Sequence, residues 1–464
     1  MKRFGSVGYV ILFCALGVLN FQCHPGPQAS TLQAFRLICV DPGHFHAALV
    51  QKYPNERLDD TVSVYAPAGR EVEEYLSLIE SFNLRDKHPT TWHEQVYLGT
   101  DFLEQMLEER PGDIVLLAGN NRHKIDYLEQ SVAAGLNVLA DKPLVIESDD
   151  FSRLENTYAQ ADRQGILIYD IMTERYEVLH RIQRALMQDT LLFGQLETGT
   201  ETDPAIRISS IHAFYKEVAG SALTRPGWYY DIRQQGEGIV DITTHLIDLV
   251  QWKCFPDQAI DYHTDVQVTA ANHFPTAISK AEFSRSTGLS DFPNYLTPYL
   301  QDSILQVSAN GEIHYTLRGH HIALRVEWVF EHPEQSGDIS RTDIRGSRAS
   351  THIWQDPAQK PSLYIAPEKG IDPATFQQQL EQTLNALQSE FPGIGIRKSE
   401  AGCFEITVPD ALRGNHEAHF AAVLDRYLDY LSGTPIPDWE KQNTLTKYYI
   451  TTQALRLASE AEKP

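Results

Sequence analysis

The sequence predicts two folded parts: an N-terminal α/β domain built on a parallel sheet, and a C-terminal α+β domain with an open, mostly antiparallel sheet. Two observations predict this. Between residues 35 and 170, short apolar runs alternate with helical spacings, as they must when helices cover both faces of a parallel sheet. After residue 171, strand-like runs follow one another with few helices between them. The length agrees, since 464 residues are too many for one small domain. A hydrophobic share of 42% with 22% charged residues excludes wholesale disorder.

The elements follow in order. Lys2 and Arg3 precede an apolar run from Val7 to Leu19, the charged and apolar regions of an export signal. That run is shorter than the roughly 20 residues a membrane span needs. Residues 1–22 are therefore expected to be a signal peptide, and the protein to be exported, periplasmic or membrane-anchored. Cys23 stands where a lipoprotein is acylated, although Gln22 departs from the small residues expected beside it. Residues 23–34, with Pro25, Gly26 and Pro27, read as a tether. Strands of the first domain, residues 35–170, are expected at Phe35–Val40, Thr61–Tyr65, Asp113–Ala118, Asn137–Ala140 and Gly165–Ile171. Lys124–Ala134 has helical spacing and ends at Gly135, a natural helix C-cap. In residues 171–464, strands are expected at Gly194–Thr200, His263–Ala270, Ser303–Val307, Glu312–Leu317 and Ile322–Phe330. Helices are expected at Asp241–Trp252, Gly414–Leu431 and Leu445–Ala458, and the polar stretch from His332 to Lys360 reads as an insertion or long loop.

Charge narrows the function classes. Asp and Glu number 62 against 39 Lys and Arg, a formal charge of −23. Such a surface repels phosphate backbones and anionic membranes, so nucleic acid is not an expected partner. Cys39, Cys254 and Cys403 are isolated, which excludes a zinc ribbon and leaves them as small buried hydrophobes.

Several stretches carry chemistry. A Rossmann-like dinucleotide fold places G-x-G-x-x-G after its first strand, to allow a tight turn and close approach to pyrophosphate. Here that stretch is Asp41-Pro42-Gly43-His44-Phe45-His46, and only the middle glycine survives. The second strand ends Val64-Tyr65-Ala66-Pro67 without an acid, and Arg70 follows. This tilts the cofactor toward NADP over NAD, unless Arg70 only serves the next helix. Lys142, just past a buried strand and before Pro143, lies at the carboxyl edge of the sheet, where ligands bind and a cation can orient a hydroxyl or carbonyl. Asp241 and His245 are four apart on one helix face, which suits general acid/base work; the plain alternative is an N-cap and a half-buried imidazole. Trp228, Tyr229 and Tyr230 either stack on a sugar ring or belong to the core. Arg318, His320, His321 and Arg325 either bind sugar hydroxyls or a carboxylate, or are solvated strand ends. His416-x-x-His419 is one position short of H-E-x-x-H, and His44-x-His46 likewise supplies two ligands, so no metal site is expected.

Taken in order, these stretches resemble the Gfo/Idh/MocA oxidoreductases. Asn121-Arg122-His123 matches the histidine after the third strand of that family, Asp141-Lys142-Pro143 its E-K-P with Asp for Glu, and Gly236-Glu237-Gly238 with Asp241, His245 and Asp248 its G-G-G-x-x-x-D-x-x-x-H-x-x-D. The stretch Asn415–Phe420 looks like a branch of oxidoreductases found with export signals. The resemblance implies an enzyme that uses NADP or NAD on a sugar or glycoside. Lys142 and His245 would act on the substrate hydroxyl that loses hydride, and Asp241 would position substrate or the histidine. Gly43, His44, Phe45, His46, Asn121, His123, Asp141 and Lys142 would border the cofactor. Because free nicotinamide nucleotide is scarce outside the cytoplasm, an exported member is expected to hold its cofactor tightly and run a redox-neutral cycle or a paired donor and acceptor. The family's open sheet implies a face for a homo-oligomer. The altered turn, with Asp41 and His46 for glycines, motivates one alternative: a non-catalytic carbohydrate-binding lipoprotein on a degenerate Rossmann scaffold.

Overall fold

The computed structural model describes residues 1, 34–218, 221–332, 338–355, 360–399 and 402–461. The expected signal peptide, most of the tether and Cys23 lie outside the described residues. Among the described residues, no helix is long and apolar enough to cross a membrane.

The first sheet has six parallel strands: β1 (Leu37–Val40), β2 (Thr61–Ala66), β3 (His93–Leu98), β4 (Ile114–Leu117), β5 (Asn137–Asp141) and β6 (Ile168–Ile171). Their order is β3-β2-β1-β4-β5-β6, the doubly wound arrangement in which ligands bind outside the carboxyl ends of the strands. The runs LICV and IVLL are buried at every position because helices cover both faces. The covering helices include α1 (His46–Val50), α2 (Arg70–Leu84), α3 (Phe102–Glu109), α4 (Lys124–Ala133) and α5 (Phe151–Gln164). The edge strand β3 escapes a periodicity search because HEQVYL is mostly exposed.

The second sheet has ten strands. Its main path runs Val266–Ile278, Ile304–Leu317, His320–Val329, Ile206–Ala213, Ile339–Arg345, Ala349–Trp354, Ser362–Pro367, Phe404–Thr407 and Gly395–Lys398. All pairs are antiparallel except His320–Val329 with Ile206–Ala213. Three expectations need correction. Residues 194–200 are not a strand and make only isolated bridges, Leu196 to Gly346 and Gly199 to Pro204. The described residues between His332 and Lys360 are not a long loop, since they supply two strands in which buried positions largely alternate with more exposed ones. The expected strands 303–307 and 312–317 are one continuous strand.

A buried ionic network links the first sheet to two helices that pack on the second. The Arg175 guanidinium donates to both oxygens of Asp248 at 2.7 Å and to Glu440 Oε1 at 2.7 Å. Lys447 Nζ lies 2.7 Å from Asp170 Oδ2 and 3.3 Å from Asp248 Oδ1. Asp170 is in β6, Asp248 in the helix Thr243–Cys254, and Glu440 and Lys447 in the helix Asp438–Ala461. Buried charges persist only when paired in this way. Asp248, the last residue of the D-x-x-x-H-x-x-D stretch, therefore serves the fold.

Candidate active site

The site sits at the carboxyl edge of the parallel sheet. After β1 the chain turns at Asp41, whose φ of 46° is left-handed, and passes Gly43 before entering α1. A Cβ at Gly43 would stand 3.3 Å from Trp228 Cζ2 and 3.6 Å from the Asn120 backbone nitrogen, so this position is glycine because the indole packs on it. Asp41 accepts a hydrogen bond from the Tyr127 hydroxyl at 3.0 Å. Burial raises its pKa against that bond.

β5 delivers Asp141 and Lys142 to the same edge, and the Lys142–Pro143 peptide is cis. Lys142 Nζ forms a buried ion pair with Asp241 Oδ1, and Asp241 Oδ2 accepts from Gln235 Nε2 at 3.0 Å. Asp241 itself lies in the turn before the helix, which begins at Thr243, so in place of the expected single helix face Asp241 stands in the turn and His245 in the first turn of the helix. Gly238 fixes that turn against the second sheet, since a Cβ there would stand 1.8 Å from the Ala309 carbonyl oxygen. His245 Nδ1 is buried with no hydrogen-bond partner among the described residues. Burial and the Lys142 ammonium push the His245 pKa down to about 4, so the imidazole is neutral.

Asn121 is buried and donates from Nδ2 to the Gln235 carbonyl at 2.7 Å. Its Oδ1 accepts from Lys124 Nζ at 2.6 Å. Lys124 is fully enclosed and also donates to the carbonyls of Asp141 at 2.7 Å and Pro143 at 3.0 Å, clamping the backbone on either side of Lys142. Burial, opposed by Asp141, brings its pKa down to about 8. Lys124 escapes a sequence reading because its three acceptors are recognisable only once β5 and the 121–123 turn are side by side.

His44 and His46 both reach Asp141. Their Nδ1 atoms lie 3.2 and 2.9 Å from Asp141 Oδ2. His46 Nε2 lies 3.3 Å from His416 Nε2, at the start of the helix His416–Leu431. Burial lowers the pKa of His44, His46 and His416. Burial works against the Asp141 carboxylate, but its two imidazole contacts outweigh it and hold its pKa well below the usual carboxylate range.

Other candidates fall elsewhere. His123 closes a short turn, with its side chain 48% exposed beside Asp126 and its ring 6.2 Å from that of Tyr127, and it lines neither cavity described below. Arg70 is committed to Glu74 at 2.6 Å and to the Thr287 carbonyl at 2.8 Å, which supports the structural alternative for it. Trp228, Tyr229 and Tyr230 are core residues, and the Tyr229 ring is stacked beside His44 at 6.3 Å. Arg318 pairs with Asp265, and Arg325 pairs with Glu312 and Glu327.

Two spaces border the turn. A chamber of about 20 Å³ lies among His44, Asn121, Asp141, Lys142, Tyr229 and Asp241. A larger cavity of about 330 Å³ borders Gly43 and His44 and extends between α1, α2 and residues 222–226, with Arg225, Lys52, Tyr75 and Glu417 in its walls.

The lowered histidines have a consequence for stability. His44, His46, His180, His245 and His416 all titrate below the ordinary histidine value, with burial the largest cause. A group whose folded pKa is depressed gives its full stabilisation above its unfolded pKa and loses it as pH falls. Unfolding free energy is therefore expected to drop below about pH 6.5, by up to ~1.4 kcal/mol per pH unit for each such histidine. Urea midpoints at pH 7.5 and pH 5.5 check this, and an unchanged midpoint contradicts it.

Comparison with known proteins agrees with this architecture. The family model described as "Putative oxidoreductase C terminal domain" matches residues 182–459. The crystal structure of a putative oxidoreductase from Parabacteroides merdae is 42% identical, covers 93% of this chain and 99% of its own, and superposes with a TM-score of 0.91. KijD10, a 3-ketoreductase from Actinomadura kijaniata in complex with NADP and TDP-benzene, is 14% identical over 92% of this chain and 98% of its own, with a TM-score of 0.54, a likeness of fold. Putative oxidoreductase YteT of Bacillus subtilis is 24% identical over 170 residues, 36% of each chain, so that match spans about a third of its length. The chain belongs to the family of the putative oxidoreductase C-terminal domain, with the fold of the Gfo/Idh/MocA oxidoreductases.

Proposed function

We propose that the protein is an NAD(P)-dependent oxidoreductase that transfers hydride between a nicotinamide and a hydroxyl-bearing carbon of a sugar or glycoside. One observation carries the reading: the buried Lys142–Asp241 pair stands at the carboxyl edge of a β3-β2-β1-β4-β5-β6 sheet, where such a fold works on its ligand. The 3-ketoreductase of like fold, solved with NADP, supports it.

The polar groups suit the cofactor. Gly43 brings bare backbone to the turn, and His44, Asn121 and Lys142 border the chamber beside it. When bound, the nicotinamide supplies the hydride acceptor. Lys142 Nζ, balanced by Asp241, donates a hydrogen bond to the substrate oxygen and stabilises charge there as its proton leaves. His245 lines neither cavity, and its Nδ1 has no hydrogen-bond partner among the described residues; with a pKa of about 4 it relays the substrate proton toward solvent rather than keeping it. The space sets a condition. A chamber of about 20 Å³ holds a water, so a nicotinamide ring enters only when Trp228 and Tyr229 draw back from the turn. The 330 Å³ cavity on the other side of Gly43 falls within the ordinary range for small-molecule sites, about 300–1,000 Å³.

Calorimetric titration with NAD(H) and NADP(H), together with the absorbance and mass of anything released on denaturation, tests this. Binding of either nucleotide is expected. A protein that releases none and binds neither defeats it.

The packing of Trp228 on Gly43 favours one second reading, a non-catalytic carbohydrate-binding protein on the same scaffold. That reading predicts sugar binding that survives Lys142→Ala with His245→Ala, and no turnover in the native protein.

A further inference from the structure

We propose that His44, His46 and Asp141 form a binding site for a divalent first-row transition-metal ion, of the kind zinc or iron(II) occupies. The inference goes beyond the redox reading and does not rest on it. It starts from an electrostatic imbalance. Asp141 is 4% exposed, yet among the described residues its carboxylate has no lysine or arginine ion pair. The other buried carboxylates nearby do: Asp241 has Lys142, and Asp248, Glu440 and Asp170 share Arg175 and Lys447. Lys124 donates to the backbone carbonyl of Asp141 and not to its carboxylate. Buried charges are paired or bind metals, and the partners of Asp141 are two imidazoles.

The geometry suits an ion. One ring nitrogen from each histidine and one Asp141 carboxylate oxygen lie within 4.8 Å of one another. The nitrogens stand 3.2 and 2.9 Å from Asp141 Oδ2. Adjacent ligands on an ion with bonds of about 2.1 Å lie about 3.0–3.4 Å apart. His416, facing the far nitrogen of His46, fixes that ring's orientation as a positioning residue. Two imidazoles and one carboxylate select zinc, iron(II), manganese or cobalt over magnesium and calcium, which prefer all-oxygen sites. His44 and Asp141 also border the 20 Å³ chamber, which has room for a metal-bound water beside Lys142 and Asp241. A sequence reading stops at two ligands because Asp141 lies 95 residues from His46.

Untagged protein, stripped with a chelator and titrated with Co²⁺, tests the site without nucleotide or substrate. A single ion per chain with visible d–d absorption is expected. Asp141→Asn and His46→Gln should each abolish the bands with near-ultraviolet circular dichroism unchanged. His263→Gln, on the exposed surface, should keep them. His416→Gln should keep them with about 10-fold to 100-fold weaker binding. Absence of bands in the native protein overturns the proposal, as do bands that survive both Asp141→Asn and His46→Gln. Complete loss in His416→Gln overturns this ligand set.

Discussion

Replacing Lys142 with alanine is expected to lower kcat by about 10²–10⁴-fold, the range general acid–base groups supply. The argument runs through the pair. Lys142 Nζ is held by Asp241 Oδ1, and Asp241 is itself oriented by Gln235. The ammonium is thus fixed beside the small chamber rather than free to rotate. Removing it has a second effect, because Asp241 is left buried without a cation. Breaking a buried pair from one side costs about 3–5 kcal/mol. Lys142→Ala should therefore lose both turnover and stability. The double variant Lys142→Ala, Asp241→Ala removes the stranded charge, so its urea midpoint should return toward that of the native protein while kcat stays low. A double variant as unstable as the single one would show that the pair is not the unit described here.

The second large effect is structural. Arg175→Met is expected to destabilise the protein by about 3–5 kcal/mol. It strands Asp248 and Glu440, which share that guanidinium, and leaves Lys447 to balance three carboxylates. Equilibrium urea unfolding checks the cost. Glu440, whose pKa burial already raises, is the group expected to protonate in response, so the variant should regain part of its loss at lower pH. A variant as stable as the native protein would remove the network from the account of how the first sheet is joined to the helices that pack on the second.

Much of this was legible in the sequence, for identifiable reasons. Lys142 and Asp241 could be placed because each lies in a short stretch whose local pattern, strand end before proline and glycine-rich turn before helix, fixes its position. Asp141, which the sequence offers as a variant of the family glutamate bordering the cofactor, acquires its further meaning from His44 and His46, which local pattern cannot bring to it. Arg175 and Lys124 were invisible for the same reason: their acceptors come from distant elements, up to 265 residues away for Arg175 and Glu440. The segment 332–360 was misread because its strands are polar on one face, as ISRTDIR and ASTHIW show. The helix expected from Asp241 begins two residues later, at Thr243, because the turn that carries Asp241 has the same apolar spacing as the helix it leads into.

The most direct test of the central claim is the appearance of reduced-nicotinamide absorbance when the native protein is mixed with NAD or NADP and a panel of sugars and glycosides, run beside Lys142→Ala. The account predicts reduction of nucleotide by the native protein with at least one of these substrates, and its loss in the variant. Equal reduction by a folded Lys142→Ala protein would contradict it.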